Sequence, residues 1–417
     1  MTLTHKILGD QKRLFLWLLL YLRILGLAPF VDVEGKCKKS FVYQGLSSSI
    51  HTISSVLTLA FILSRLRSSN SEIYEYLYNY WDQSLGIIMV TCSWHFLMSS
   101  TKLLSIVRFL NRSKASPLPV DWITYVIIGV NVIALVYASI ENINLGERYS
   151  FNLVSIVNLG ALFSLNFFLA LFLSIVMKLF TCELANLTDA RLTSTSSSFE
   201  NTVKYIYPCE TLNERKTRYC EDNNATRSEI VPESKKMKSV KESNSLLYLI
   251  KKKLISCNRT AGLIHSLFSV VVFALLAYEQ VNMVLLVLYA LYDSSPSHFW
   301  SLLFFTVPSA LKLWLILDSQ SGYIKVCQEG VHRVKRLIAE VGGLGPRYEQ
   351  EVWQLRGILA ELERMPRFTI LGLFELGRHC LLAMGSVVLT YVTIAVQFTT
   401  SNNPVTCKPF TCNCSLC

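Results

Sequence analysis

The chain has 417 residues, 52% of them hydrophobic and only 17% charged. A soluble globular domain carries about 25% charged residues, and a disordered chain lacks this hydrophobicity, so both classes are excluded. The formal net charge is +11, from 40 Lys+Arg against 29 Asp+Glu. On a chain this apolar the basic charge belongs against anionic lipid rather than nucleic acid.

In chain order, the first apolar stretch is 14–30, interrupted by Arg23 and closed by Pro29. Basic residues precede it, as in a signal peptide, but Pro29 directly after Ala28 is a poor cleavage site. The preferred reading is an uncleaved helix lying in the membrane interface. A helix needs about 20 apolar residues to cross the roughly 30 Å hydrocarbon core. Seven stretches qualify: 41–63, 85–107, 122–140, 151–177, 262–291, 299–317 and 370–398.

Orientation follows from Lys and Arg. With the N-terminus inside, the cytoplasmic segments 1–40, 102–121, 178–260 and 318–367 hold 7, 4, 15 and 8 basic residues, 34 of the 40. The outer segments hold four: Arg65, Arg67, Arg148 and Lys408. This bias predicts a cytoplasmic N-terminus and, after seven spans, an extracellular C-terminus. The fold class expected is an all-α membrane protein of seven transmembrane helices.

The domain plan is a cytoplasmic segment 1–40 and spans one to six over 41–317, with a long cytoplasmic loop 181–260. Anchor helices 318–367, a last span 368–398 and a Cys-rich extracellular tail 399–417 follow. The loop is rich in Ser, Thr, Asn and charge, and its basic end, 235–253, is expected to run as a helix into the fifth span. Residues 323–366 carry helical apolar spacing broken by Gly342, Gly343, Gly345 and Pro346, which predicts two helices joined by a turn.

Enzymatic signatures are missing. The sequence contains no GxxxxGK[ST] phosphate loop, no HExxH metal site and no nucleophile elbow, and its seven histidines form no ligand spacing. No catalytic residue, metal site or cofactor is expected. Cys407, Cys412, Cys414 and Cys417 crowd the tail. They could bind zinc, although outside the cell two disulfides are the favoured outcome.

The last span is the most informative. Ser386, Thr390, Thr393, Gln397 and Thr400 follow one another at spacings of 4, 3, 4 and 3, which is one helix face. That stripe is either an uncharged wall facing water in a pore or hydrogen-bonding glue between helices. Other polar groups in the outer halves of the spans are candidates for a ligand pocket: Asp82, His95, Tyr137, Asn158, Glu279, Gln280, Asn282 and Trp300. Glu279 stands out because a carboxylate facing lipid is costly. Glu375 and Arg378 are spaced i,i+3 and are expected to pair. Lys312 is expected to snorkel to the inner face.

These residues carry a family resemblance. Thr390-Tyr391, five residues, then Gln397-Phe398 resembles the Thr-Tyr(x5)Gln-Phe signature of insect gustatory receptors, in the span where that family has it. Leu25-Gly26-Leu27-Ala28-Pro29-Phe30 near the start, Cys327 after span six and Leu373-Phe374-Glu375-Leu376 before the motif also fit. The resemblance implies the insect chemoreceptor channel fold and a ligand-gated, non-selective cation channel. Four subunits, identical or mixed with other gustatory receptors, would surround one pore passing Na, K and Ca ions. Gln397 would sit at the gate, Thr390 and Thr393 would line the pore, and each subunit would hold a small-molecule tastant in a pocket among spans two to six. The expected place is the plasma membrane of sensory neurons, at the dendrite, with no nucleic acid partner.

Sugar receptors of this family carry Glu directly after the Thr-Tyr, where this chain has Val392. Bitter compounds are therefore the first expectation and fructose or other sugars the second. A related odorant receptor channel shares the topology. A G-protein-coupled receptor needs the opposite orientation, a DRY-like motif and an NPxxY, none of which is present. Of the sequons at Asn111, Asn186, Asn224, Asn258 and Asn413, only Asn413 lies outside and can be glycosylated.

Overall fold

The computed structural model describes residues 14–28, 30–33, 36–67, 73–112, 153–189, 233–292, 296–343 and 345–401, with six positions between Val126 and Val136. A short helix, α1 (Leu14–Ile24), leads to a two-stranded antiparallel hairpin, β1 (Phe30–Val33) and β2 (Lys36–Lys39), paired Phe30 to Lys39. Helices α2 (Phe41–Arg67), α3 (Ile73–Met98), α4 (Ser100–Arg112) and α5 (Leu153–Thr188) follow. Then come α6 (Glu233–Tyr292), α7 (Pro296–Gly342) and α8 (Glu349–Glu363), a small hairpin of β3 (Thr369–Ile370) and β4 (Phe374–Glu375), and α9 (His379–Ser401). The six described positions of the third predicted span are helical. Tyr137 and the cysteine tail lie outside the described residues.

The helix α1 is packed into the bundle. Phe15, Leu18, Leu19 and Leu22 are buried, and Phe15 stacks on Phe172 of α5 at 6.0 Å. Tyr21 and Ser164 share a 2.7 Å hydrogen bond. The helix stops at Gly26, whose φ of +74° is a left-handed cap. Leu27 N donates to Leu22 O at 2.8 Å across that turn. A Cβ at Gly26 would stand 3.1 Å from the Ser47 backbone, so shape and conformation both call for glycine there.

α2 is polar inside and apolar outside. Ser47, His51 and Thr58 are buried, while Phe41, Val42, Ile53 and Val56 are exposed. Lipid is as apolar as a protein core, so such a helix loses nothing by facing it. The second predicted span, 85–107, is not one straight helix. Gly86–Met98 and Ser100–Asn111 meet at an angle of 71°. The Ser99-Ser100-Thr101 run supplies side chains that compete for backbone hydrogen bonds and favours such a break.

α5 is the central post, with buried residues on nearly every side from Leu165 to Leu173. Its Phe172 meets Phe268 of α6 edge-on at 6.4 Å. α6 runs 60 residues and α7 runs 47, about 90 Å and 70 Å at 1.5 Å per residue. Both outrun a 30 Å bilayer core and continue as packed helices beyond it. α8 seals these extensions through buried Leu355, Ile358 and Leu362. Asn258 donates to Glu361 at 3.3 Å, and Lys335 pairs with Glu363 at 3.0 Å. The expected pair of helices joined at Gly342–Pro346 is thus present, and the helix expected to run into span five is continuous.

The stretch 370–373 was expected inside the last span. It forms the β3–β4 turn instead, with Leu371 at φ 49° and Gly372 at φ 76°. The apolar run was misleading because apolar content fixes neither period nor φ. Helix α9 therefore starts at His379. Glu375 and Arg378 do not pair, since the i,i+3 geometry needs a helix that is absent there. Glu375 meets Arg367 at 3.5 Å, and Arg378 reaches Asp318 of α7.

Candidate functional site: a buried polar cluster and an uncovered last helix

Three helices bring a polar cluster together in the bundle. Glu279 of α6 is 2% exposed and forms an ion pair with Lys312 of α7, which is 3% exposed. Asn166 of α5 donates to Glu279 at 3.3 Å, and Asn282 donates to its other oxygen at 3.3 Å. Asn282 Nδ2 also reaches Ser309 Oγ at 2.7 Å. The amide oxygens of Asn166 and Asn282 are buried and accept no hydrogen bond among the described residues.

Lys312 therefore does not snorkel. A lysine near a helix end reaches for the interface when nothing closer stabilises it. Here a carboxylate lies opposite, and its attraction, with the two amide donors on Glu279, offsets the desolvation of both charges. The two residues are 33 positions apart, so neither predicts the other in sequence.

Gln280, beside Glu279, faces the last helix. Its Nε2 donates to Met384 O at 2.9 Å. The ion-paired cluster and the α6–α9 contact thus occupy consecutive residues. Nearer α3, His95 Nε2 lies 2.9 Å from Leu267 O. Asp82, Asn158 and Trp300 sit on α3, α5 and the first turns of α7, with side chains outside the described set. Of the candidate pocket residues, the structure thus joins Glu279 and Asn282 in one network and sets Gln280 at its edge.

α9 differs from the rest. Its partly buried positions are Leu381, Met384, Val388 and Val392, spaced 3, 4 and 4 along one face. At about 100° per residue, the stripe of Ser386, Thr390, Thr393 and Gln397 points nearly the opposite way. Those four are exposed. Ser386, Thr390 and Thr393 donate to their own helix carbonyls Ala383, Ser386 and Leu389 at 2.7, 2.8 and 2.8 Å. Among the described residues these hydroxyls are therefore not bonded to neighbouring helices. Back-bonded hydroxyls keep acceptor lone pairs free for water. Phe398 and Thr400 continue the same helix. The flanking faces are apolar and open, with Leu382 81% and Leu389 68% exposed.

At the base of α9, the β3–β4 hairpin is clamped to α6 and α7. Thr369 N donates to His265 Nε2 at 3.3 Å, and Phe368 meets Tyr323 edge-on at 5.0 Å. Tyr323 Oη donates to Pro366 O at 3.1 Å. Sequence reading missed Asn166, Ser309 and the hairpin. An amide inside the apolar run of α5 was the available signal for Asn166.

Residues 16–402 match the family model for the 7tm Chemosensory receptor, and the chain belongs to that family. It is a membrane receptor of a chemosensory class, not an enzyme. The fold is similar to the insect olfactory receptor OR5 from Machilis hrabei, with a TM-score of 0.62 and 14% identity over 93% of this chain and 100% of that one. The same receptor in complex with eugenol gives 0.63 and 12%, over 94% and 99%. At that identity the likeness shows the fold, which is the insect seven-transmembrane chemoreceptor fold. No curated protein matches.

Proposed function

We propose that the chain is one subunit of a ligand-gated, non-selective cation channel of the gustatory type, detecting bitter compounds at the plasma membrane of sensory neurons. Four copies, or copies mixed with related receptors, set α9 around a central pore. The observation that carries this is the last helix: one uncharged polar stripe, exposed and turned away from its own subunit, between apolar faces that its own chain leaves open. An isolated helix of this kind is costly in water and ordinary in lipid, and a water-filled pore gives the polar stripe a use.

The ligand occupies a pocket among spans two to six, close to Glu279 and Asn282. Gln280 passes its occupancy to α9 through Met384. The eugenol complex of the olfactory receptor supports a small apolar molecule as a ligand type, so an odorant-type ligand is the second reading. The resemblance of Thr390-Tyr391 through Gln397-Phe398 supports the gustatory one.

The test is to express the chain without G proteins and record currents evoked by bitter compounds, sugars and eugenol. Ligand-evoked current is expected, and Gln397→Ala should shift gating or permeation. Silence to every ligand despite surface expression sinks the channel reading. Currents unchanged in Gln397→Ala sink the gate assignment alone.

A further inference from the structure

A cavity of about 580 Å³ opens between α4, α5 and α6, and its lining shares no residue with the polar cluster or with α9. Arg108 of α4 and Lys253 and Arg259 of α6 line it, with Glu183 of α5 as the one acidic residue. Its formal balance is therefore +2. Phe109, Leu187 and Leu263 line the same space. α4, which forms one wall, follows the 71° break after Met98. The break swings α4 off the axis of α3 and lays its apolar face, Leu103, Ile106 and Val107, into the core. Arg108 lies off that buried face, is exposed, and borders the cavity with Ser105 and Phe109.

We propose that this cavity binds the phosphate-bearing headgroup of an anionic lipid. Guanidinium groups present forked donors that match phosphate oxygens, and a lysine adds a point charge. The volume lies in the range of small-molecule sites. A free phosphate would gain nothing from the three apolar side chains. A lipid places its glycerol and first methylenes there, so the mixed lining favours the lipid as source. The charge bias of the loops assigns this end of the bundle to the cytoplasm, where anionic lipid is concentrated. That assignment decides which leaflet supplies the lipid and does not affect whether the site binds.

The full chain, purified in detergent, is titrated with phosphatidylinositol 4,5-bisphosphate, phosphatidylcholine or sodium phosphate, and bound ligand is counted by native mass spectrometry. Detergent removes sidedness, so a failure of the topology leaves this measurement intact. The bisphosphate lipid should bind at least tenfold tighter than phosphatidylcholine. At about 1 kcal/mol per basic residue near a phosphate surface, Arg108→Gln should cost roughly fivefold and Arg108→Gln with Arg259→Gln roughly 25-fold. Glu183→Gln should strengthen binding by about threefold, a gain that misfolding cannot produce. Equal binding of the two lipids, or no change in the double variant, overturns the site. Binding of inorganic phosphate without the lipid overturns the lipid assignment.

Discussion

α8 and α9 follow each other in the chain and meet their surroundings in opposite ways. α8 has 15 residues, buries Leu355, Ile358 and Leu362, and is tied to α6 and α7 by charged contacts. α9 has 23 residues and leaves Leu382, Leu389 and Tyr391 exposed. The difference separates what the subunit completes alone from what it leaves to its environment. The region around α8 has an internal core, with Tyr323, Phe368 and His265 fixing the hairpin beneath α9. The last helix has one packed edge and leaves apolar and uncharged polar side chains exposed on its other faces.

The ion-paired cluster gives the largest expected break in that contrast. Lys312→Met leaves the Glu279 carboxylate buried without its cation and should destabilise by about 3–5 kcal/mol. Thermal unfolding in detergent reads the loss, and Glu279→Leu added to it should recover most of it. Full stability of the single variant would show that the pair is not buried. Next in size, Ile358→Ala in α8 removes core volume and should cost about 2–5 kcal/mol by the same measurement. Gly26→Ala meets a left-handed φ and the Ser47 backbone, and should cost about 1–2 kcal/mol.

Smaller effects sharpen the other side. Thr390→Val on the exposed stripe should move stability by less than about 0.5 kcal/mol while altering single-channel conductance. A large stability loss there would mean that the hydroxyl is packing glue after all. Cys327 offers a probe of the lower part of α7. Burial pushes its thiol up from 9.0 to about 11, with the Tyr323 hydrogen bond partly opposing. The thiolate is the reactive form, so at pH 8 maleimide labelling of native protein should run roughly 100-fold slower than after unfolding. A folded pKa above the unfolded one stabilises below about pH 9. That contribution is lost as pH rises toward 11.

Much of this was legible without coordinates, because membrane solvent imposes simple rules on sequence. Apolar runs of about 20 residues mark α2, α5, α6 and α7. Glycine and proline between Gly342 and Pro346 mark the turn before α8. The polar stripe of α9 has a strict helical period, and that period survives as an exposed face. Local rules failed where an apolar run changed direction. The break in the second span falls at the short polar run Ser99-Ser100-Thr101, and the Leu371–Gly372 turn before α9 lies in an apolar one; hydropathy averaged over a span reports burial in lipid or protein but not backbone path.

The sequence by itself determined the class, the apolar spans, the charge asymmetry and the face of the last helix, since each depends on residues near one another along the chain. The tertiary structure alone decided partners. Lys312 joins Glu279, Arg378 joins Asp318, Gln280 meets Met384, and Arg108 comes to one cavity with Lys253 and Arg259. A buried or exposed charge is settled by what stands opposite it in space, and packing of distant helices sets that neighbour.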